Sequence, residues 1–150
     1  MPIFNSIHEL LKRVGVASNE VPDVGLFHEA LGGRWQHVCH VDFPFQKDVE
    51  LVFQMNKATP EIPNTMLGNV AWIQDHLIEI WNAAAQAINE IATAQSIELH
   101  DELEVEPLEI QLPDQQLPDA TWRFTIEPVG LNAAFRLTFR GLSVIGTRYA

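Results

Sequence analysis

Lysine and arginine are scarce in this chain, and the scarcity is local. Nine basic residues stand against twenty acidic ones in 150 residues, a formal charge of −11. From Ala58 to Trp122 there is no lysine or arginine at all, whereas beyond it Arg123, Arg136, Arg140 and Arg148 face only Glu127. A net acidic surface repels phosphate backbones and disfavours nucleic-acid binding. It is compatible with a basic protein partner, and equally with a charge that only keeps the chain dissolved. Cysteine is reduced to Cys39, which excludes an internal disulfide framework and a multi-cysteine metal site. No apolar run approaches the length of a bilayer span, and Glu9, Lys12 and Arg13 interrupt the amphipathic start in a way a signal peptide would not show. Phosphate-cradling glycine loops, the GxSxG nucleophile elbow and the HExxH zinc motif are all missing. These absences lead to an expectation of one domain over 1–150, soluble and cytoplasmic, without membrane or nucleic-acid partners.

What is present is dominated by the stretch from Asn64 to about Ala94. Met66, Val70, Ile73, Leu77, Ile80, Ala84, Ile88 and Ile91 recur at three- and four-residue steps, which predicts one long helix with a single apolar stripe. Gln74, Asp75, Glu79, Asn82, Asn89 and Glu90 face away from that stripe, and Asn64 or Thr65 is placed to cap it. Pro2 to Val14 reads as a short amphipathic helix. Ala17 to Gly33, with Pro22, Gly25, Gly32 and Gly33, reads as loop with one helical turn near Leu26 to Leu31.

Strand-like alternation fills the remainder. Arg34 to Phe43 and Val49 to Met55 alternate around a short polar connection that suits an antiparallel hairpin. Leu103 to Leu112 reads as a strand with a fault at Pro107. Trp122 to Glu127 and Ala133 to Arg140 alternate cleanly, and Gly141 to Tyr149 makes a last, weaker strand. The predicted class is α+β: a mostly antiparallel sheet of about five strands packed against one long central helix, with a short N-terminal helix.

Four groups of residues invite chemistry. His37, Cys39, His40 and Asp42 lie close in sequence, but strand parity sends His37 and Cys39 to one face and His40 and Asp42 to the other, so they cannot converge on a metal ion. Cys39 beside His37 leaves an activated thiol to weigh against a buried structural cysteine among Trp35, Val41 and Phe43. Between Glu98 and Glu109 carboxylates crowd together, with Glu102, Glu104 and Glu106 on one strand face. That row suits a basic partner, a charged edge strand, or pairing across the sheet with Arg136 and Arg140, and lacks the loop pattern of a calcium site. Asp75, His76 and Glu79 within one helical turn form half of a carboxylate metal site with no second half, so a solvated face is the better reading. Trp81 reads as core, and Trp72, nearer the stripe's edge, as core or interface.

The Gly32-Gly33-Arg34-Trp35 start to a strand, the strand pair, the long helix and the closing strands from Trp122 together resemble small bacterial immunity proteins. Those proteins neutralise polymorphic or contact-delivered toxins. The likeness is one of size, charge and element order, without a diagnostic motif. It implies a non-enzymatic protein with no catalytic residues, no metal and no cofactor, which binds a cognate toxin. An acidic face suits a basic toxin domain such as a nuclease. The residues expected to meet that partner are Glu98, Asp101, Glu102, Glu104 and Glu106, with Asp75 and Glu79 on the helix. A self-associating assembly subunit, a homo-oligomer joined through an exposed strand edge and Trp72, is the alternative.

Overall fold

The computed structural model describes residues 18–21, 25–30, 33–43, 46–98, 105 and 108–150. Eight strands form one sheet in simple sequence order: β1 (Ser18–Val21), β2 (Gly25–Ala30), β3 (Arg34–Val41), β4 (Val49–Met55), β5 (Leu108–Leu112), β6 (Thr121–Ile126), β7 (Phe135–Arg140) and β8 (Ser143–Tyr149). Two helices, α1 (Asn64–Asp75) and α2 (Leu77–Ala94), lie between β4 and β5. All neighbouring strands are antiparallel except β4 and β5, which run parallel. Two four-strand meanders are thus joined through a helical crossover, as a parallel pair requires.

This overturns the expected architecture of about five strands on one long helix. The stretch expected as loop with a helical turn holds β1 and β2 instead. Gly25–Ala30 contains Leu, Glu and Ala but no β-branched residue, so its local preference is helical. Its pairing with both β1 and β3 overrides that preference. Of the strand read over Leu103 to Leu112, Leu108–Leu112 is β5 and Val105 makes an isolated bridge to Pro128; Leu103, Glu104, Glu106 and Pro107 lie outside the described residues, as does the expected helix at Pro2 to Val14.

The helix break falls at His76, where neither proline nor glycine announces it. The backbone N–H of His76 is shared between the carbonyls of Trp72 and Ile73, its ring Nδ1 lies 2.7 Å from the Trp72 carbonyl, and the ring stacks on Trp72 at 4.5 Å. This tightened turn gives His76 a non-helical conformation (φ −112°, ψ 16°) before Leu77 restarts the helix. At the other end Pro63, not Asn64 or Thr65, occupies the N-cap, and no side chain caps the helix.

Alternation on the strands matches the two layers. Leu51 and Phe53 of β4, Leu108 and Ile110 of β5, Phe124 and Ile126 of β6, and Phe135, Leu137 and Phe139 of β7 are buried on one face. They form one cluster with Ile73, Ile80, Ala84 and Ile88 of the helices, each large side chain contributing about 1.5–3 kcal/mol by leaving water. Trp81 tilts against Phe43 at 5.3 Å, and Trp72 is half-buried against the same cluster, so both tryptophans belong to the core side. Among the described residues no helix is long and apolar enough to cross a membrane.

Asn69 is the one fully buried polar residue of α1. Its Nδ2 donates to the carbonyls of Gln115 (3.0 Å) and Pro113 (3.4 Å), and its Oδ1 accepts from the Leu117 N–H (2.9 Å) and Gln116 Nε2 (3.0 Å). The β5–β6 connection has no ladder of its own, and this amide supplies its partners.

Candidate functional site

The histidine and cysteine group separates as parity demands. His37 is buried on the helix-covered face, stacked on Phe27 at 4.7 Å with Nδ1 at 2.9 Å from the Leu26 carbonyl; burial lowers its pKa. Cys39, on the same face, is half-buried; its Sγ accepts from Gln74 Nε2 at 3.6 Å, and burial pushes the thiol up. A raised thiol pKa disfavours the thiolate that nucleophilic chemistry requires, so Cys39 reads as structural. On the opposite face His40 Nδ1 meets Asp48 Oδ1 at 2.9 Å, while Asp42 Oδ1 accepts the Asp48 N–H at 2.8 Å. Among the described residues no group of three His, Cys, Asp or Glu side chains converges. His28, which sequence reasoning did not single out, is buried beside Gln36, with Nε2 at 3.0 Å from Oε1, and burial lowers its pKa too.

The expected partner-binding acids are only partly placed. Asp75 and Glu79 are exposed, either side of the break between α1 and α2, and Glu98 is exposed beyond α2. Asp101, Glu102, Glu104 and Glu106 lie outside the described residues. The row weighed for pairing with Arg136 and Arg140 falls among these residues; β7, which carries both arginines, neighbours β6 and β8.

The clearest geometric feature lies at the other end of the chain. On the sheet face away from the helices, Arg123 stands between Gln111 and Thr138, Arg136 between Thr125 and Arg148, and Arg140 between Thr121 and Ser143. All four arginines are exposed, and none forms an ion pair with a described residue. The charge reversal after Trp122 was visible in sequence, as was the shared parity of Arg123, Arg136 and Arg140 with the polar positions; the place of Arg148 and the gathering of all four near one edge were not, since both depend on strand order and register.

That edge is β8. Its register against β7 slips between Thr138 and Phe139, leaving Ile145 without an opposite residue and 57 % exposed. On the helix side, a groove of about 460 Å³ runs between α2 and β8, with Ala83, Ala87 and Val144 in its wall and Gln86 and Glu90 at the helix. Compared with known protein families, characterised proteins and solved structures, the chain matches none of them.

Proposed function

We propose that the chain is a non-enzymatic protein-binding module, in its most concrete form an immunity-type inhibitor that takes a basic partner, such as a toxin domain, on the solvent side of its helical layer. The observation that carries this reading is the charge of that layer. Asp75, Glu79 and Glu90 are exposed, and neither α1 nor α2 carries a lysine or arginine. A face of one sign attracts a partner of the other at long range and orients it, so its effect appears first in the association rate and in salt dependence.

The test has two stages. Affinity capture from the native host at low and high salt should retain a single basic protein that salt releases. With that protein in hand, the triple reversal Asp75→Lys, Glu79→Lys and Glu98→Lys should slow association by about tenfold or more at low salt and flatten its salt dependence, with the melting temperature little changed because all three side chains are exposed. Unchanged association kinetics would refute the acidic-face reading. Recovery of the chain alone, as a fixed oligomer, would support the assembly-subunit alternative.

A further inference from the structure

We propose that the open edge of β8 is a strand-addition site for an extended segment of a partner protein with carboxylates at alternate positions: the edge backbone would bond its main chain, the groove against α2 its apolar side chains, and Arg136 and Arg148 its acids. This surface meets the helical face invoked above only at Glu90, on the helix side of the groove, and does not depend on that reading.

The backbone argument follows from the pairing with β7. Ala134 and Ala150 exchange both hydrogen bonds, at 2.9 and 3.2 Å. In an antiparallel ladder such pairs alternate with pairs that make no bond to each other. Arg136 with Arg148 is therefore the next bonded pair, while Leu137 with Thr147 and Phe135 with Tyr149 are the non-bonded ones. The N–H and C=O groups of Thr147 and Tyr149 consequently point away from β7. Among the described residues β8 is the last strand of the sheet, so these groups look out from its edge. An exposed row of this kind is a template for another strand.

Side-chain chemistry then selects the occupant. A strand laid along β8 would alternate between the helix side and the outer face. On the helix side it meets the groove, whose wall mixes Ala83, Ala87 and Val144 with Gln86, Glu90 and Thr147 and takes small apolar side chains beside its two alanines. On the outer face its residue next to Arg148 stands two strands, about 10 Å, from Arg136, within reach of that long side chain. The sheet itself sets these two like charges opposite one another, a destabilising arrangement. A carboxylate at that place relieves the repulsion, and a second one along the strand reaches toward Arg140. A second copy of this chain fits poorly: joining two β8 edges would gather Arg136 and Arg148 of both copies on one face whose other described side chains on β6–β8 are Thr, Ser and further Arg.

The probe is a fluorescein-labelled, end-blocked peptide of alternating valine and glutamate, followed by anisotropy against the full chain at low and physiological salt. The expected result is saturable binding, weakened about tenfold or more by Thr147→Pro, which deletes one outward N–H, and by the pair Arg136→Glu and Arg148→Glu. A valine–lysine peptide should not bind. Because Thr147→Pro can disturb folding, its circular dichroism is compared with wild type; the arginine variants, at exposed positions, test the same proposal if it misfolds. The proposal is overturned if the valine–glutamate peptide fails to bind, if the lysine peptide binds as well, or if folded variants bind like wild type. Light scattering that finds a dimer dissolved by Arg148→Glu or Thr147→Pro would equally overturn it, by assigning the edge to a second copy.

Discussion

Replacing Asn69 by leucine, which keeps the side chain's shape and deletes its polar atoms, should destabilise the protein by about 3 kcal/mol. Two of the four hydrogen bonds set this figure. The Leu117 N–H (2.9 Å) is a buried backbone group and sets most of the figure; the Gln115 carbonyl (3.0 Å) belongs to an exposed residue, so its half-buried bond to the fully buried Asn69 amide adds the smaller share. Orphaning a buried group costs roughly 1–3 kcal/mol. The bond to the Pro113 carbonyl is long at 3.4 Å and adds little. Gln116 is exposed and can bond to water instead. The new leucine methyls, sitting against the core, offset part of the loss. For a chain of this size the remaining deficit lowers the melting temperature by about 6–12 °C. Urea unfolding followed by tryptophan fluorescence measures it, and amide exchange at Leu117 localises it. Gln116→Ala is the control, expected to cost less than about 1 kcal/mol because its amide lies in water. A loss below about 1 kcal/mol for Asn69→Leu, or equal losses for the two variants, would refute the claim that this amide holds the β5–β6 connection.

Two further outcomes follow from single positions. Burial lowers the pKa of His28 and of His37, so between those depressed values and the ordinary value near 6.5 the unfolded chain binds more protons than the native one. Stability should therefore be full above about pH 6.5 and fall as the pH drops below it, by up to about 1.4 kcal/mol per pH unit for each histidine. His37→Phe should reduce the slope of unfolding free energy against pH, whatever it does to stability at pH 8; an unchanged slope would contradict the assignment. At Gly68 an added Cβ would lie 2.8 Å from Gln116 Oε1, a flexible side chain's far end. Gly68→Ala should thus displace Gln116, losing less than about 1 kcal/mol with its bond to Asn69 while gaining about 0.8–1 kcal/mol of helix propensity, so the melting temperature should hold or rise slightly.

Where two-residue alternation was strong, the strands could be read directly: Val49–Met55, Thr121–Ile126 and Phe135–Arg140 each bury one parity and expose or half-expose most of the other. The failures have separate physical causes. β2 is a strand because its neighbours are strands, and nothing in Gly25–Ala30 itself says so. The division at His76 arises from a shared backbone N–H and a histidine–tryptophan stack, neither of which leaves a periodic trace. The apolar stripe continues through the break because both helices face one sheet. A count of apolar spacing therefore cannot distinguish one helix from two.

The candidate sites divide along the same line between local and non-local information. Strand parity alone separated His37 and Cys39 from His40 and Asp42, and the hydrogen bonds of each pair agree with that separation. It also set Arg123, Arg136 and Arg140 opposite the apolar parity, whereas Arg148 on the weak last strand is placed only by the register of β8 against β7. Only the position of β8 at the end of the sheet turns those arginines into the border of an open edge, and only the bonded pair Ala134–Ala150 fixes which backbone groups look outward. Segregation of charge by sequence segment thereby becomes, apart from Glu109 on the outer face of β5, segregation by layer. The stretch without lysine or arginine supplies the helices, the arginine-bearing stretch supplies the far face of β6–β8, and the core lies between them. Opposite charges kept apart on two layers cannot neutralise one another internally at short range, so each remains available to a partner of its own complement. If that is their use, reversing the helical acids should leave the binding of the valine–glutamate peptide at β8 unchanged within about twofold, while reversing Arg136 and Arg148 leaves association at the helical face unchanged. Cross-effects larger than that would mean the two surfaces act as one.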